Sequence, residues 1–189
     1  DGQPGVDPLG SFIFTFSEGM NPAHISTGSL EMDGPGGRVS GSFSLFADPD
    51  DNIPDVITFT PDAPLAGLTQ YTINIDSPSD FAGNTVDSED LFYTFTTGLA
   101  LTDISPISGP VGTEVNITGS FPTDLNSSTV FFADENGDRV ATDILSAAET
   151  DDGLVVLTVE VPSGAATGNV LVRVDDDESN ESLFTVTLA

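Results

Sequence analysis

Apolar and polar residues alternate with a period of two along most of this chain, which is the pattern of half-buried β-strands. Phe12, Phe14 and Phe16 fall on one face of a short run. Val39, Phe43 and Leu45 follow, with Gly41 marking a break or bulge. Val56 to Thr60 ends at Pro61, Tyr71, Ile73 and Ile75 share a face, and the run from Leu91 or Phe92 to Phe95 closes the first half. Beyond Gly98 the pattern predicts strands over 101–104, 114–118, 129–133, 140–145, 154–161, 169–174 and 182–188. Turn signals recur roughly every ten residues, the spacing of a β-sandwich. Helical periodicity is nearly absent; only Asn21-Pro22-Ala23-His24-Ile25 suits a single turn, with Asn21 as its cap.

Residues 104–121 carry the densest punctuation. Pro106 and Pro110 fix φ and remove donors, so neither strand runs straight into the next. Gly109 and Gly112 supply turn conformations, and the alternation resumes at Val115 and Ile117. A strand, a kinked crossing and a second strand are how a sandwich begins, so the second half reads as its own all-β module. The boundary falls at Thr97-Gly98-Leu99-Ala100, giving domains 1–98 and 99–189. Expected core residues are Phe14, Phe16, Phe59, Ile73 and Phe95 in the first, and Ile104, Val115, Ile117, Val159 and Val172 in the second.

Charge changes the picture of partners. Thirty-one acids face three bases, Arg38, Arg139 and Arg173, for a net charge of −28. Each half carries −14, from 15 acids and one Arg before residue 100 and 16 acids and two Arg after it. Even sharing points to the surroundings of the protein rather than to one acidic site. Such a surface repels nucleic acid and anionic lipid, which bind through clustered Lys and Arg. It also repels itself, and salt relieves that within a Debye length of roughly 8 Å. With 38% hydrophobic residues and thirteen Phe, real cores form in spite of the charge. There is no cysteine, so the modules hold by packing, and no apolar run long enough for a membrane helix.

Several loops have oxygen-rich patterns. Asp48, Asp50, Asp51, Asn52 and Asp55 are dense enough for Ca²⁺, which takes about six to eight oxygens. In a chain where every loop is acidic, a solvated loop is the simpler reading, so Ca²⁺ is the one candidate cofactor and none is assigned firmly. Asp134, Asn136 and Asp138 have the spacing that opens an EF-hand, but Arg139 stands where that loop needs Gly. Asn136-Gly137 predicts a hairpin there instead. Asp175 to Glu178 reads as a solvated tip, and Asp80 with Asn84 as a local turn. His24 stands alone without a nucleophile partner, so no catalytic residue is assigned and the chain is not expected to be an enzyme. Sequons at Asn116, Asn126 and Asn180 are weak evidence of glycosylation.

Two resemblances add to this reading. Residues 100–189 are similar to IPT/TIG domains, immunoglobulin-like folds of plexin-type receptors, some transcription factors and bacterial surface proteins. The similarity rests on Ile104-Ser105-Pro106, Ser108 to Thr113, Val115-Ile117-Gly119, Val159 to Gly164, Val170 to Val174 and Phe184-Thr185-Val186. Residues 1–98 resemble a bacterial immunoglobulin-like domain of S-layer and adhesin-like proteins. That match rests on Phe14 to Ala23, Ile57 to Pro61, Leu65 to Ile73, Asp80 to Asn84 and Tyr93 to Thr97. The implied fold is two immunoglobulin-like β-sandwiches in tandem. The first departs from its family at the front, where Asp1 to Val6 looks like the turn that follows an opening strand, and that strand is missing.

The resemblances imply an extracellular filament, adhesin or surface-layer module. Its expected partners are proteins, either copies of itself or flanking immunoglobulin-like modules, with no nucleic acid and no membrane insertion. A missing strand exposes backbone groups that another chain can pair with. The expected acceptor edge is Phe12, Phe14 and Phe16 together with Phe92 and Phe95, and Leu183 to Leu188 is the candidate donor, beside residues upstream of Asp1. The equal alternative is that the strand was cut off. A carbohydrate-binding or spacer module of a secreted polysaccharide-active enzyme is the second reading. The absence of Trp, and only Tyr71 and Tyr93, count against a sugar platform.

Overall fold

The computed structural model describes residues 2–21, 23, 30–47, 54–76, 78–85, 92–124 and 126–188. Among them every regular element is a strand. The chain divides into two compact units, Asp1–Ala63 with Thr69–Thr96, and Pro64–Leu68 with Thr97–Ala189.

The first unit contains β1 (Gln3–Val6), β2 (Phe12–Thr15), β3 (Leu30–Gly34), β4 (Gly37–Arg38), β5 (Gly41–Ala47), β6 (Pro54–Pro61), β7 (Gln70–Ile75) and β8 (Phe92–Thr97). They form a five-stranded sheet in the order β1-β8-β7-β3-β4 and a three-stranded sheet in the order β2-β6-β5. Strand alternation sets the rows across the smaller sheet: Phe43, Phe59 and Phe12 are in register, and so are Leu45, Ile57 and Phe14. Phe12 reaches Phe95 of the opposite sheet at 4.8 Å between ring centroids, and Phe95 stacks on Tyr71 at 5.7 Å. Met32, Ile57, Phe59, Ile73 and Phe95 are buried.

The second unit contains β9 (Ala100–Ser105), β10 (Ser108–Gly109), β11 (Glu114–Ser120), β12 (Ser128–Ala133), β13 (Arg139–Thr142), β14 (Ile144–Glu149), β15 (Val155–Glu160), β16 (Gly168–Val174), β17 (Asp177–Glu178) and β18 (Ser182–Val186). Its sheets run β10-β18-β16-β12-β13, with β17 on β16, and β14-β15-β11-β9. Val115, Ile117, Val130, Leu157, Val159, Val170 and Val172 are sealed from solvent between them. The Ser120 hydroxyl donates to the Leu65 carbonyl, and Thr97 Oγ1 donates to the Ala66 carbonyl at 2.6 Å. Both units are β-sandwiches.

Five expectations change. Gln3–Val6 is not a turn but strand β1, at the edge of the larger sheet beside β8. The Gly2 amide also donates to the Thr94 carbonyl at 2.7 Å. The run from Arg38 to Phe46 is two strands in different sheets, as is 140–145, where the chain changes sheets at Asp143. Gly41 serves that crossing rather than a bulge, since a Cβ there would collide with the Phe59 ring. Phe14 and Phe16 are half-buried rather than core, because no strand among the described residues lies beyond β2 to cover them. The donor candidate Leu183 to Leu188 is already engaged, for β18 pairs β16 on one side and β10 on the other.

Candidate functional site at the open edge of the first sandwich

β2 has one neighbour, β6, and its other side meets no strand among the described residues. In an antiparallel ladder alternate residues aim their N–H and C=O at the partner. The Phe16 amide donates to the Asp55 carbonyl at 2.8 Å, in register with the pairs Phe14–Ile57 and Phe12–Phe59. Phe12, Phe14 and Phe16 therefore spend their backbone groups on β6. Ile13 and Thr15 aim theirs outward, with the Ile13 side chain 67% exposed on the outer face. Two open cavities flank the strand. One of about 680 Å³ runs along Phe14, Phe16, Glu18, Met20, Asp80 and Tyr93, and one of about 410 Å³ along Val6, Asp7, Phe12, Phe14, Tyr93 and Phe95. The Phe14 and Tyr93 rings stand 6.2 Å apart across this groove.

The expected edge is thus brought together only in part. Phe12, Phe14 and Phe16 lie along the open strand. Phe92 and Phe95 sit on β8, which has β7 on one side and β1 on the other, so β8 is not an open edge. Phe95 instead forms part of the groove floor, and Phe92 is 56% exposed.

One wall is fixed by a tight local turn. Asp80 accepts from the Asn84 amide at 2.8 Å and from the Asn84 side chain at 2.6 Å, and the Asp80 amide donates back to the Asn84 carbonyl at 2.9 Å. The Asn84 side chain first, then backbone amides including that of Asn84, hold the Asp80 carboxyl below its ordinary value. Met20, bridged to Asp80, is buried against this turn. The sequence identifies the turn but not its place beside β2.

Of the proposed metal ligands, Asp48, Asp50 and Asp51, with Asn52, lie outside the described residues. Asp55 is half-buried at the start of β6, where its carbonyl receives the Phe16 amide. Among the described residues no three His, Cys, Asp or Glu side chains converge as a metal centre would require. His24 also lies outside the described residues. Asp134 closes the β12–β13 hairpin, accepting from the amides of Asn136 at 2.7 Å and Asp138 at 2.8 Å, and these hold its carboxyl below the ordinary value. Gly137 there takes a φ of +82°, a conformation glycine reaches without strain.

A second cluster was missed by sequence reasoning. Glu178, on the exposed tip 175–178, is also ion-paired: it pairs with Arg139 at 2.5 Å and with Arg173 at 2.6 Å. Arg139 first, then Arg173, pull its carboxyl down to about 2. The Arg173 guanidinium lies 4.7 Å from the Phe131 ring centroid and Arg139 lies 5.9 Å from it. Two of the three basic residues of the chain are thereby neutralised in part on one sheet surface. Asn180 receives the Leu101 amide at 2.8 Å and donates to the Leu101 carbonyl at 2.9 Å, which ties β9 down. Its side chain is engaged although it lies in a sequon.

Comparison with known proteins follows the fold. A family profile described as a bacterial Ig-like domain matches residues 1–97. No match is found among curated proteins. Among solved structures, the N-terminal part of the bacterial S-layer protein SbsC is similar at 15% identity and a TM-score of 0.39, covering 100% of this chain and 43% of that one. The S-layer protein rSbsC(31-844) is similar at 15% identity and a TM-score of 0.38, covering 99% of this chain and 25% of that one. The Yersinia pseudotuberculosis adhesin InvE is similar at 12% identity and a TM-score of 0.29, covering 99% and 56%. The chain therefore spans less than half of either S-layer structure. With its residues 1–97 matched by the profile, the chain belongs to the bacterial Ig-like domain family.

Proposed function

We propose that this chain is a structural and interaction module of an extracellular filament, adhesin or surface-layer protein, joined to its neighbours by strand complementation. The observation that carries the reading is the outward-facing backbone of Ile13 and Thr15 on β2, beside a groove in which Phe14 and Phe16 are only partly covered. A free strand edge is a template for another chain, and natural proteins seldom leave one unprotected without a use for it. Family membership supports a module of this kind, and the evenly spread charge of −28 suits a solvent-facing scaffold in a saline or calcium-rich setting. The neighbours are copies of the chain or flanking Ig-like modules. Residues 99–189 are read as an IPT/TIG sandwich that acts as a second building block. The loop with Asp48, Asp50, Asp51 and Asp55 is the candidate Ca²⁺ stabiliser of the first module.

Antibody labelling of intact cells of the source organism tests the reading. Label on unbroken cells, removed by external protease, is the expected result. Label that appears only after lysis would overturn it.

A further inference from the structure

The second unit is assembled from two stretches of the chain. Beside Thr97–Ala189 it takes in Pro64–Leu68, a segment that the sequence places between β6 and β7. Connections of this kind normally run over the surface. This one is seated. Leu65 is only 3% exposed. Two hydroxyls of the main stretch are aimed at successive carbonyls of the segment: Ser120 Oγ donates to the Leu65 carbonyl, and Thr97 Oγ1 donates to the Ala66 carbonyl at 2.6 Å. Ser120 and Thr97 are both buried, so the water that would otherwise serve these hydroxyls is excluded.

The segment's own residues suit the seat. Gly67 lets the backbone come close, for a Cβ there would strike the Ser120 carbonyl. Leu68 takes a φ of +51°, which a bulky side chain adopts only when its surroundings impose it, and its side chain packs against the second core. Seating is therefore costly at Leu68, and the burial of Leu65 and the two hydroxyl contacts outweigh that cost.

The registers place the seat. Ser120 ends β11 opposite Ala100 at the start of β9, and Gly119 stands opposite Val155 at the start of β15. A Cβ at Gly153, in the turn before β15, would find the Pro64 carbonyl at 3.9 Å. The segment thus lies across one end of the β14-β15-β11-β9 sheet, the end at which Leu101, Phe121 and Val155 enter the core.

We propose that Pro64–Leu68 is a strap: the second sandwich carries a built site for this segment, and that end of its core is closed only while the segment is seated. The working second module then includes residues 64–68, and residues 99–189 are an incomplete version of it. Whatever draws the strap out opens this end to water and loosens the second sandwich.

The test uses the whole 189-residue chain and two readouts. Amide exchange at Ile117 and Leu157, on sealed inner strands, reports the second unit. Tyrosine fluorescence in urea reports the first unit, which holds both Tyr71 and Tyr93. Leu65→Ala empties the anchor of the strap, and Gly67→Ala pushes the strap off Ser120. Each should speed exchange at Ile117 and Leu157 by about tenfold or more while the tyrosine midpoint stays in place. Leu65→Met, which keeps the volume, should retain most of the protection. Should Gly67→Ala fold poorly, the comparison of Leu65→Ala with Leu65→Met carries the test. Unchanged exchange in the second unit of Leu65→Ala overturns the proposal, and so does equal loss of protection in Leu65→Met. A tyrosine midpoint that falls as far as the second unit loosens also overturns it, because 64–68 would then be an ordinary turn of the first sandwich.

Discussion

Replacing Phe14 by alanine separates an open edge from a closed core. A fully buried Phe changed to Ala costs ~3–5 kcal/mol, because transfer and cavity terms add. Phe59, only 2% exposed and packed on Phe43 at 4.9 Å, belongs in that class, so Phe59→Ala should cost the full amount. Phe14 sits in the adjoining strand, one row along on the same inner face, yet is partly exposed beside the groove. With part of its surface already in water, and an open groove rather than a sealed cavity left behind, Phe14→Ala should cost less, ~2 kcal/mol. The chain offers a selective probe, since it has no Trp and both tyrosines, Tyr71 and Tyr93, lie in the first unit. Urea unfolding followed by tyrosine fluorescence therefore reports that unit alone. Salt should be moderate, so that self-repulsion does not distort the comparison. If Phe14→Ala costs as much as Phe59→Ala in the chain by itself, Phe14 is fully covered and the reasoning fails.

Three further expectations follow from named contacts. Glu178 has a folded-state value near 2, below the ordinary 4.5, so its contribution to stability is complete above about 4.5 and is lost as the pH falls toward 2; Glu178→Gln should flatten acid denaturation of the second unit in that window, and an unchanged pH profile would refute the pairing. Asn180→Ala strands the amide and carbonyl of buried Leu101 and should cost about 1–3 kcal/mol by far-UV circular dichroism melts, whereas a neutral result would mean water replaces the clamp. If the loop with Asp48, Asp50, Asp51 and Asp55 holds Ca²⁺, added Ca²⁺ should raise the melting temperature more than Na⁺ of equal ionic strength, and Asp55→Asn should shrink the difference; equal rises would mean screening alone.

What the sequence made legible is what local chemistry controls. Alternation placed most strands, Asn136-Gly137 marked the β12–β13 hairpin, and Asp80 with Asn84 marked a turn stabilised by its own side chains. Long-range partners were not legible. Nothing local distinguishes a strand that stays in its sheet from one that leaves it at Asp143, because the change of sheet is decided by what each side packs on. The alternation Phe12, Phe14, Phe16 reads as core for the same reason: it shows which face is apolar, not whether a neighbouring strand covers it. Glu178 looked solvated because Arg139 lies 39 residues away in sequence. β1 was hidden by Pro4 and two glycines, which suit an edge strand as well as a turn.

Amide exchange along β2 in the isolated chain tests the central claim most directly. The Phe14 and Phe16 amides face β6, while those of Ile13 and Thr15 face the open groove. The account predicts strong protection at Phe14 and Phe16 and fast exchange at Ile13 and Thr15, an alternation that vanishes when a strand is added. Uniform protection across Ile13 to Phe16 in the chain alone would show that the edge is already paired, and would contradict it.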